Sequence, residues 1–249
     1  EEIAVTADEL GYNTRYTLLN AVWYGVPQLR ERMIIIGIHN SLGITPSFPK
    51  ITYRYMIPVG YNTSRSVQGK VVVLPPADHY VAHGTYADNL HDAVTVTEAF
   101  GDLAPITFHL DSGIKKHGKR KDTEMTYTGE PNRYTGNLRN WQGFMSNGHY
   151  IGNMIRITPR DFETFRKMTE NSMYPEAVRV ALEIFEDRRK LYKQETGVDL
   201  LEGSAEWKRL YDETVPPYDV DRYPNKFRKL AAREPARTVP AHLGKDTYS

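Results

Sequence analysis

Two apolar stretches near the start of the chain predict neighbouring β-strands. Arg15 to Ala21 alternates loosely and is rich in strand-forming residues. Arg32 to Ile38 is a nearly continuous apolar run with the length of a strand that is buried on both faces. Trp23 to Arg30 lies between these two stretches. The pattern therefore predicts two adjacent strands joined by this loop.

The middle of the chain shows little periodicity. Residues 40–90 contain five prolines, and Lys70 to Leu74 is the one firm strand prediction within them. We interpret this region as a connector with some β character. Beyond it, Thr97 is a favourable residue at a helix N-cap, and Gly101 limits that helix to about two turns.

Helical patterns dominate the later part of the chain. Thr158 followed by Pro159 predicts a helix start, with Phe162, Phe165 and Met168 on one face. A second helix is predicted from Pro175 to Thr196, with Gly197 as its stop. Its predicted apolar face comprises Val178, Ala181, Leu182, Phe185 and Tyr192. Ser204 is expected to cap a third helix that carries Trp207, Leu210 and Tyr211.

Composition narrows the classes of function. The 249 residues include 32 basic and 31 acidic side chains, so any nucleic-acid surface must be a local concentration of Lys and Arg. There is no cysteine, which excludes a disulfide framework, a cysteine-based zinc site and a thiolate nucleophile supplied by this chain. No long apolar run predicts a membrane span. We expect a cytoplasmic protein without a membrane partner.

A Gln-x-Arg-x-Arg cluster leads directly into the second predicted strand. It consists of Gln28, Arg30 and Arg32 within the run from Gly25 to Gly37. Arginine forks held at the mouth of a core suit phosphates and base edges, which accept paired hydrogen bonds. The alternative is that these arginines form ordinary ion pairs with Glu31 or another nearby acid.

Two further segments are candidates for contact with nucleic acid. One is a basic run made of Lys115, Lys116, His117, Lys119, Arg120 and Lys121, which could bind phosphates or be a solvated loop. The other lies between Arg133 and Arg156 and is rich in glycine and in forked side chains that can read base edges. Its polar members are Tyr134, Asn137, Arg139, Asn140, Trp141, Gln142, Asn147, His149 and Asn153. The alternative for this segment is a set of polar loops packed on one another.

Three blocks of the sequence resemble the DNA cytosine-5 methyltransferases. The run from Gly11 to Gly37 resembles the eighth motif of that family, and Thr97 to Leu103 resembles the segment that leads into its target recognition domain. Phe227 to Leu230 and Glu234 to Asp246 resemble the stretch by which the chain leaves that domain. The resemblance implies an α/β fold, in which terminal strands of a class I methyltransferase sheet precede a mixed α+β target recognition domain. The implied boundaries are 1–40 for the strands, 41–103 for the connector and 104–249 for the recognition domain.

The resemblance also assigns residue roles and partners. Arg32 would donate a hydrogen bond to the O2 atom of a flipped cytosine. Arg30 and Gln28 would support the pocket and contact a nearby phosphate and the catalytic loop. The implied partner is double-stranded DNA, and the implied methyl donor is S-adenosylmethionine, bound by the complete enzyme and not by this chain. The residues expected to bind DNA are Lys115, Lys116, Lys119, Arg120, Lys121, Arg133, Arg139, Asn140, His149, Arg156, Arg237, Thr238, His242 and Lys245.

The family's cofactor signature and its cysteine loop precede the eighth motif and are not found in this sequence. We therefore expect the chain to be inactive alone and to need an N-terminal catalytic region, in the same or a separate chain. It would be either a fragment of a longer enzyme or a non-catalytic DNA-binding subunit of a split one. A rival from another class is a metal-dependent hydrolase, for which Asp78, His79, His83, Asp88 and His91 would be the ligands.

Overall fold

A computed structural model describes residues 2–58, 79–81, 85–105, 118–120, 124–151, 155–224 and 226–238, and of 118–120 and 155–157 it describes the backbone alone. The predicted strand from Lys70 to Leu74 lies outside these ranges. The elements within them are α1 (Glu2–Glu9), β1 (Tyr12–Asn20), a 3₁₀ turn (Ala21–Tyr24), β2 (Gln28–Leu29), β3 (Glu31–His39), a second 3₁₀ turn (Asn40–Leu42), β4 (Ile51–Arg54), β5 (Tyr86–Asp92), α2 (Val96–Phe100), β6 (Gly118–Arg120), β7 (Met125–Thr126), α3 (Arg133–Arg139), β8 (Asn140–Trp141), β9 (Phe144–Met145), β10 (His149–Tyr150), β11 (Ile155–Ile157), α4 (Pro159–Lys167), α5 (Tyr174–Thr196), α6 (Ala205–Asp212) and β12 (Ala236–Arg237).

The fold is mixed α/β and divides into two compact units. Unit 1 comprises Glu1–Val96 and Arg233–Thr238, and unit 2 comprises Thr97–Ala232 and Val239–Ser249. The chain thus leaves unit 1 after Val96 and returns to it at Arg233. The backbone N–H of Val96 donates to the Glu234 carbonyl within unit 1, and that of Thr97 donates to the Ala232 carbonyl within unit 2, each at 2.9 Å. The points of departure and return are therefore adjacent.

The predicted pair of strands in unit 1 is confirmed. β1 and β3 pair antiparallel over nine residues each, from Tyr12 opposite His39 to Asn20 opposite Glu31. The residues of β1 that face the interior are Thr14, Tyr16, Thr17, Leu18 and Asn20. The predicted burial of β3 on both faces is wrong for this chain. Met33 is 48% exposed and Ile34 is 39% exposed, since within the described residues β3 pairs only with β1 and nothing covers this stretch.

The core of unit 1 joins residues from distant parts of its sequence. Val22, Trp23 and Leu29 pack with Ile51 of β4, and β4 pairs parallel with β5. The indole Nε1 of Trp23 donates to the Tyr55 carbonyl at 3.1 Å. The region that we interpreted as a connector thus contributes a strand and core side chains to the unit that contains the Gln-x-Arg-x-Arg cluster.

The helices of unit 2 follow the sequence prediction with three corrections. α5 ends at Gly197, whose φ of 73° favours glycine, and the Ser204 hydroxyl accepts a hydrogen bond from the Trp207 N–H at 3.2 Å as a cap. Thr158 occupies the cap position of α4, but its side chain makes no cap hydrogen bond. Thr97 is not a cap, since it lies inside α2 and its hydroxyl donates to the Ala232 carbonyl at 2.8 Å.

The third correction concerns the buried face of α5. Leu182 is 40% exposed although it was predicted to be buried. The buried residues of α5 are Tyr174, Ala177, Val180, Ala181, Ile184 and Phe185. Tyr174 is fully buried, and its hydroxyl lies 2.8 Å from the Tyr218 carbonyl oxygen and accepts from the Tyr218 N–H at 3.1 Å. Burial raises the pKa of Tyr174 above that of an ordinary tyrosine. No helix of the described residues is long and apolar enough to cross a membrane.

Candidate functional site

The loop that carries Gln28 and Arg30 is organised by one buried side chain, Asn20. Asn20 ends β1 and is fully buried. Its Oδ1 atom accepts hydrogen bonds from the backbone N–H groups of Val22 at 3.3 Å and Arg30 at 3.0 Å. The Ala21 N–H donates to the Arg30 carbonyl at 2.9 Å, which closes the loop from its other side. The two strands and the turn between them are thereby held at a fixed geometry.

Gly25 allows this loop to turn tightly. Its φ is +84°, a backbone conformation that residues with a Cβ rarely adopt, and a Cβ placed there would lie 2.7 Å from the ring of Tyr53. The neighbouring Tyr24 hydroxyl donates to the Pro49 carbonyl at 3.1 Å, and burial raises the pKa of Tyr24. The loop is therefore packed against β4 and the residues before it.

The last sequence block returns to this loop. β12 pairs parallel with β2, so that Ala236 lies opposite Gln28 and Arg237 lies opposite Leu29. The Ala236 N–H donates to the Pro27 carbonyl at 2.9 Å, and the Thr238 hydroxyl donates to the Leu29 carbonyl. Two of the residues predicted to bind DNA, Arg237 and Thr238, thus lie beside the Gln-x-Arg-x-Arg cluster, a proximity that the sequence did not reveal.

The three side chains of the cluster differ in exposure. Gln28 and Arg30 are half-buried, whereas Arg32 is exposed at the start of β3, next to the exposed Met33. An Nη atom of Arg32 donates to the Glu31 carbonyl at 2.7 Å, and Glu31 is only 6% exposed. This part of unit 1 therefore offers amide and guanidinium donors to solvent, a set suited to phosphate or to a base carbonyl.

We expect Asn20→Ala to lower the free energy of unfolding by about 2–4 kcal/mol, because the buried N–H of Val22 and the partly buried N–H of Arg30 lose their acceptor. Urea denaturation provides the measurement. Asn13→Ala is the matched control, since Asn13 lies on the same strand and, within the described residues, its side chain makes a single exposed 3.5 Å hydrogen bond to Thr45. Equal stability of the two variants would contradict the role of Asn20.

In unit 2 the structure uses Arg139 internally. Its Nε donates to Oδ2 of Asp102 at 2.8 Å, and an Nη donates to the Gly129 carbonyl at 3.1 Å. The guanidinium also lies 3.6 Å from the centre of the Tyr127 ring. Asp102 is 2% exposed, so this ion pair is largely removed from water. These contacts favour a role for Arg139 in positioning the loops around it, and its predicted contact with DNA stays a prediction.

Other residues of the recognition segment are placed at the surface. Arg133, Asn140 and His149 are exposed. The ring of His149 lies 3.2 Å from the Thr126 hydroxyl, which joins β10 to β7. Asn132 is the N-cap of helix α3, and its side chain accepts hydrogen bonds from the N–H groups of Tyr134 and Thr135 in a capping box. The sequence patterns do not single out Asn132 and Asp102 as organising residues. Asp102 stands beside Gly101 in a resembling block, which was the available signal.

Several predicted residues lie outside the described part of the structure. They are Lys115, Lys116, Lys121, His242 and Lys245. For Lys119, Arg120 and Arg156 the backbone alone is described. β6 and β11 pair antiparallel with Arg156 opposite Lys119, so the fold brings these basic positions onto adjacent strands.

The candidate metal ligands do not form a cluster in the described residues. Asp78 and His83 lie outside them, and the described residues contain no group of three His, Cys, Asp or Glu side chains suited to a metal. His79 Nε2 instead lies 2.6 Å from Oδ2 of Asp8, and this hydrogen bond lowers the pKa of Asp8. His91 packs against the ring of Tyr53, with a centroid distance of 5.4 Å.

We expect Arg139→Ala to cost about 3–5 kcal/mol of stability, because it leaves the Asp102 carboxylate buried without its partner. Thermal and chemical unfolding followed by circular dichroism would measure this loss. The control is Arg133→Ala, an exposed arginine on the same helix, for which a change within about 0.5 kcal/mol is expected. A stable Arg139→Ala protein that had lost DNA binding would instead place Arg139 at the DNA.

Comparisons with known proteins agree with the motifs. The family model described as C-5 cytosine-specific DNA methylase matches residues 1–239. A provisionally named type II methyltransferase of Oceanobacillus iheyensis is 32% identical over 243 residues, which cover 96% of this chain and 50% of that protein. Type II methyltransferase M.BspRI of Lysinibacillus sphaericus is 49% identical over 129 residues, covering 47% of this chain and 22% of the relative. Type II methyltransferase M.BsuFI of Bacillus subtilis is 38% identical over 69 residues, or 24% of this chain and 17% of the relative. The chain thus spans half or less of these relatives.

Proposed function

The chain belongs to the C-5 cytosine-specific DNA methylase family, and we propose on that premise that it supplies target recognition and one wall of the pocket for a flipped cytosine. The observation that carries the proposal is the pairing of β12 with β2. It sets Arg237 and Thr238 beside Gln28 to Arg32, so two sequence blocks that resemble the family form one donor-rich surface. We propose that this surface contacts the DNA backbone and the displaced base.

The chemistry of the family explains why such donors are needed. A cytosine has to leave the duplex before a thiolate can add to its C6 atom, and the pocket must then hold the base and stabilise the charge that develops on the ring. We assign the hydrogen bond to O2 to Arg32, whose guanidinium is exposed at the start of β3. Gln28 and Arg30 are half-buried and would brace the pocket from the loop that Asn20 fixes.

The nucleophile and the cofactor would come from other protein. The chain has no cysteine, so the attacking thiolate belongs to a separate segment or subunit. S-adenosylmethionine supplies the methyl group for C5 in the complete enzyme. The amide and guanidinium donors described here suit phosphate or a base carbonyl, and we assign none of them to the cofactor. We therefore propose that this chain alone is inactive and binds no cofactor.

The exposed stretch of β3 supports the proposal that a catalytic region packs against it. Met33 and Ile34 are apolar and substantially exposed, and apolar strand surface of this kind usually meets another protein surface. We propose that β1 and β3 are the terminal strands of a class I methyltransferase sheet whose remaining strands belong to the catalytic region. The proposal holds whether that region is part of the same chain or of a second subunit.

Unit 2 contains the segment that we propose as the reader of the target sequence. Residues 131–160 include no Asp or Glu but four arginines, although acids make up 31 of the 249 residues of the whole chain. The absence of acid over thirty residues lowers the repulsion that a phosphate backbone would meet. The exposed Arg133, Asn140 and His149 are proposed contacts, together with the basic positions on β6 and β11.

We expect methylation of DNA when this chain is mixed with a polypeptide that carries the cofactor and cysteine motifs, and none with either part alone. Transfer of a radiolabelled methyl group from S-adenosylmethionine to DNA measures it. In the mixture, Arg32→Ala should reduce the rate by about 10²–10³-fold, as for loss of one donor to a developing charge. Arg54→Ala is the control, since Arg54 is an exposed arginine of unit 1 paired with Asp92. An unchanged rate in Arg32→Ala would contradict the role of Arg32.

We also expect the chain to bind duplex DNA with a steep dependence on salt. If about four phosphates are neutralised, the logarithm of the binding constant should fall with a slope of about −3 to −4 against the logarithm of salt concentration. Fluorescence anisotropy of a labelled duplex at several salt concentrations tests this. A slope near zero would argue against phosphate contacts.

A further inference from the structure

An aromatic pair projects at the tip of a short hairpin in unit 2. β8 and β9 place Trp141 opposite Phe144, and Gly143 between them has a φ of +85°, which allows the tight turn. The two rings are stacked, with centroids 4.0 Å apart and planes inclined by 15°. Trp141 is nevertheless 56% exposed and Phe144 is 45% exposed. The stack therefore presents a broad apolar surface to solvent.

The hairpin is fixed at its base. The Ser146 N–H donates to the Arg139 carbonyl at 2.8 Å, so the hairpin is closed directly at the residue that pairs with Asp102. The cross-strand pair of aromatic rings also stabilises the hairpin, so the two rings are held in one exposed arrangement. Rings that are already stacked and anchored lose little conformational entropy when a third flat group packs against them.

The electrostatic surroundings identify the kind of partner. The hairpin lies inside the acid-free segment 131–160, and its own residues include the amides of Asn140 and Gln142. Exposed aromatic rings and amides in a segment without Asp or Glu suit a partner that carries negative charge and flat aromatic faces. Nucleic acid has both properties, because its phosphates attract cations and its bases stack on aromatic side chains.

We infer that the Trp141–Phe144 pair is a wedge that stacks on DNA bases at a place where the duplex is opened. The inference rests on the proposed function and adds to it a contact with base faces, apart from the base edges and phosphates discussed above. Apolar side chains inserted at a base step unstack that step and stabilise its opened form. A wedge beside the target base would make that base easier to displace. It would also bind more tightly to a duplex that already lacks a base.

Tryptophan fluorescence offers a direct readout. The chain contains three tryptophans. Trp23 is 5% exposed, and Trp207 is stacked on Tyr211 and packed against Phe185. Trp141 is therefore the tryptophan positioned to respond to a base. The probe is a labelled duplex with one central abasic site, compared with the same duplex fully paired.

We expect the duplex with the abasic site to quench the tryptophan fluorescence of the unmodified chain and to leave the fluorescence of Trp141→Phe nearly unchanged. Trp141→Ala should bind the duplex with the abasic site at least about fivefold more weakly than the unmodified chain does. This is the lower end of the range for removing one stacking contact. Trp141→Phe should recover most of that affinity because it keeps a flat ring. Met145→Ala is the control, since Met145 is 81% exposed on the same hairpin and apolar but lies outside the stack. Its affinity should not change.

The outcomes separate the wedge from the proposed function. Salt-dependent DNA binding that is the same for Trp141→Ala and the unmodified chain would overturn the wedge and leave the proposed function standing. Failure of every variant, including the unmodified chain, to bind DNA would overturn both. The wedge would also be overturned if Trp141 fluorescence changed with protein concentration in the absence of DNA and did not change further when DNA was added. That result would mean that the Trp141–Phe144 pair contacts a second copy of the chain. Unchanged circular dichroism of Trp141→Ala and Trp141→Phe confirms that the comparison is between folded proteins.

Discussion

The arrangement of unit 1 depends on the hydrogen bonds of a single buried oxygen atom. Asn20 Oδ1 satisfies the backbone donors of Val22 and Arg30, which belong to two different sides of the same loop. Buried N–H groups have to be paired, because water cannot reach them to replace the lost hydrogen bond. The amide nitrogen of Asn20 has no partner within the described residues, so the position is retained for its acceptor. Once the loop is fixed, β2 presents the edge on which β12 pairs, and the donor-rich surface can form.

From local features of the sequence, the helices and strands themselves could be predicted better than what packs against them. The strands β1 and β3 and the end of α5 at Gly197 follow from residue patterns and from glycine chemistry, which act over a few positions. The exposure of β3 could not be predicted, because an apolar run indicates that a strand is meant to be covered but not which polypeptide covers it. The hydrogen bond between Thr238 and Leu29 spans 209 positions, a distance over which no periodicity operates. The resemblance named Gln28, Arg237 and Thr238 as candidates for one site, and the structure adds that they lie close together in unit 1.

Arginines with the same predicted role differ physically. Arg139 has its hydrogen bonds committed to Asp102 and Gly129 and is stacked near Tyr127, whereas Arg133 on the same helix is exposed. An arginine held by such bonds is fixed in place and has fewer of its five N–H donors left for DNA. Such a residue shapes the surface, and exposed residues then act on it. Sequence composition cannot distinguish the two cases, since the difference lies in Asp102, a carboxylate 37 positions away.

The adjacent departure and return of the chain at Val96–Thr97 and Ala232–Glu234 has an evolutionary consequence. A segment whose two ends are tied together at one place can be lengthened, shortened or replaced by another of different internal structure, provided the replacement also brings its ends side by side. The strands of unit 1 would not have to readjust, because the span that they must bridge stays constant. Exchange of such a segment between related genes would then change unit 2 as a whole while the strands of unit 1 stay as they are.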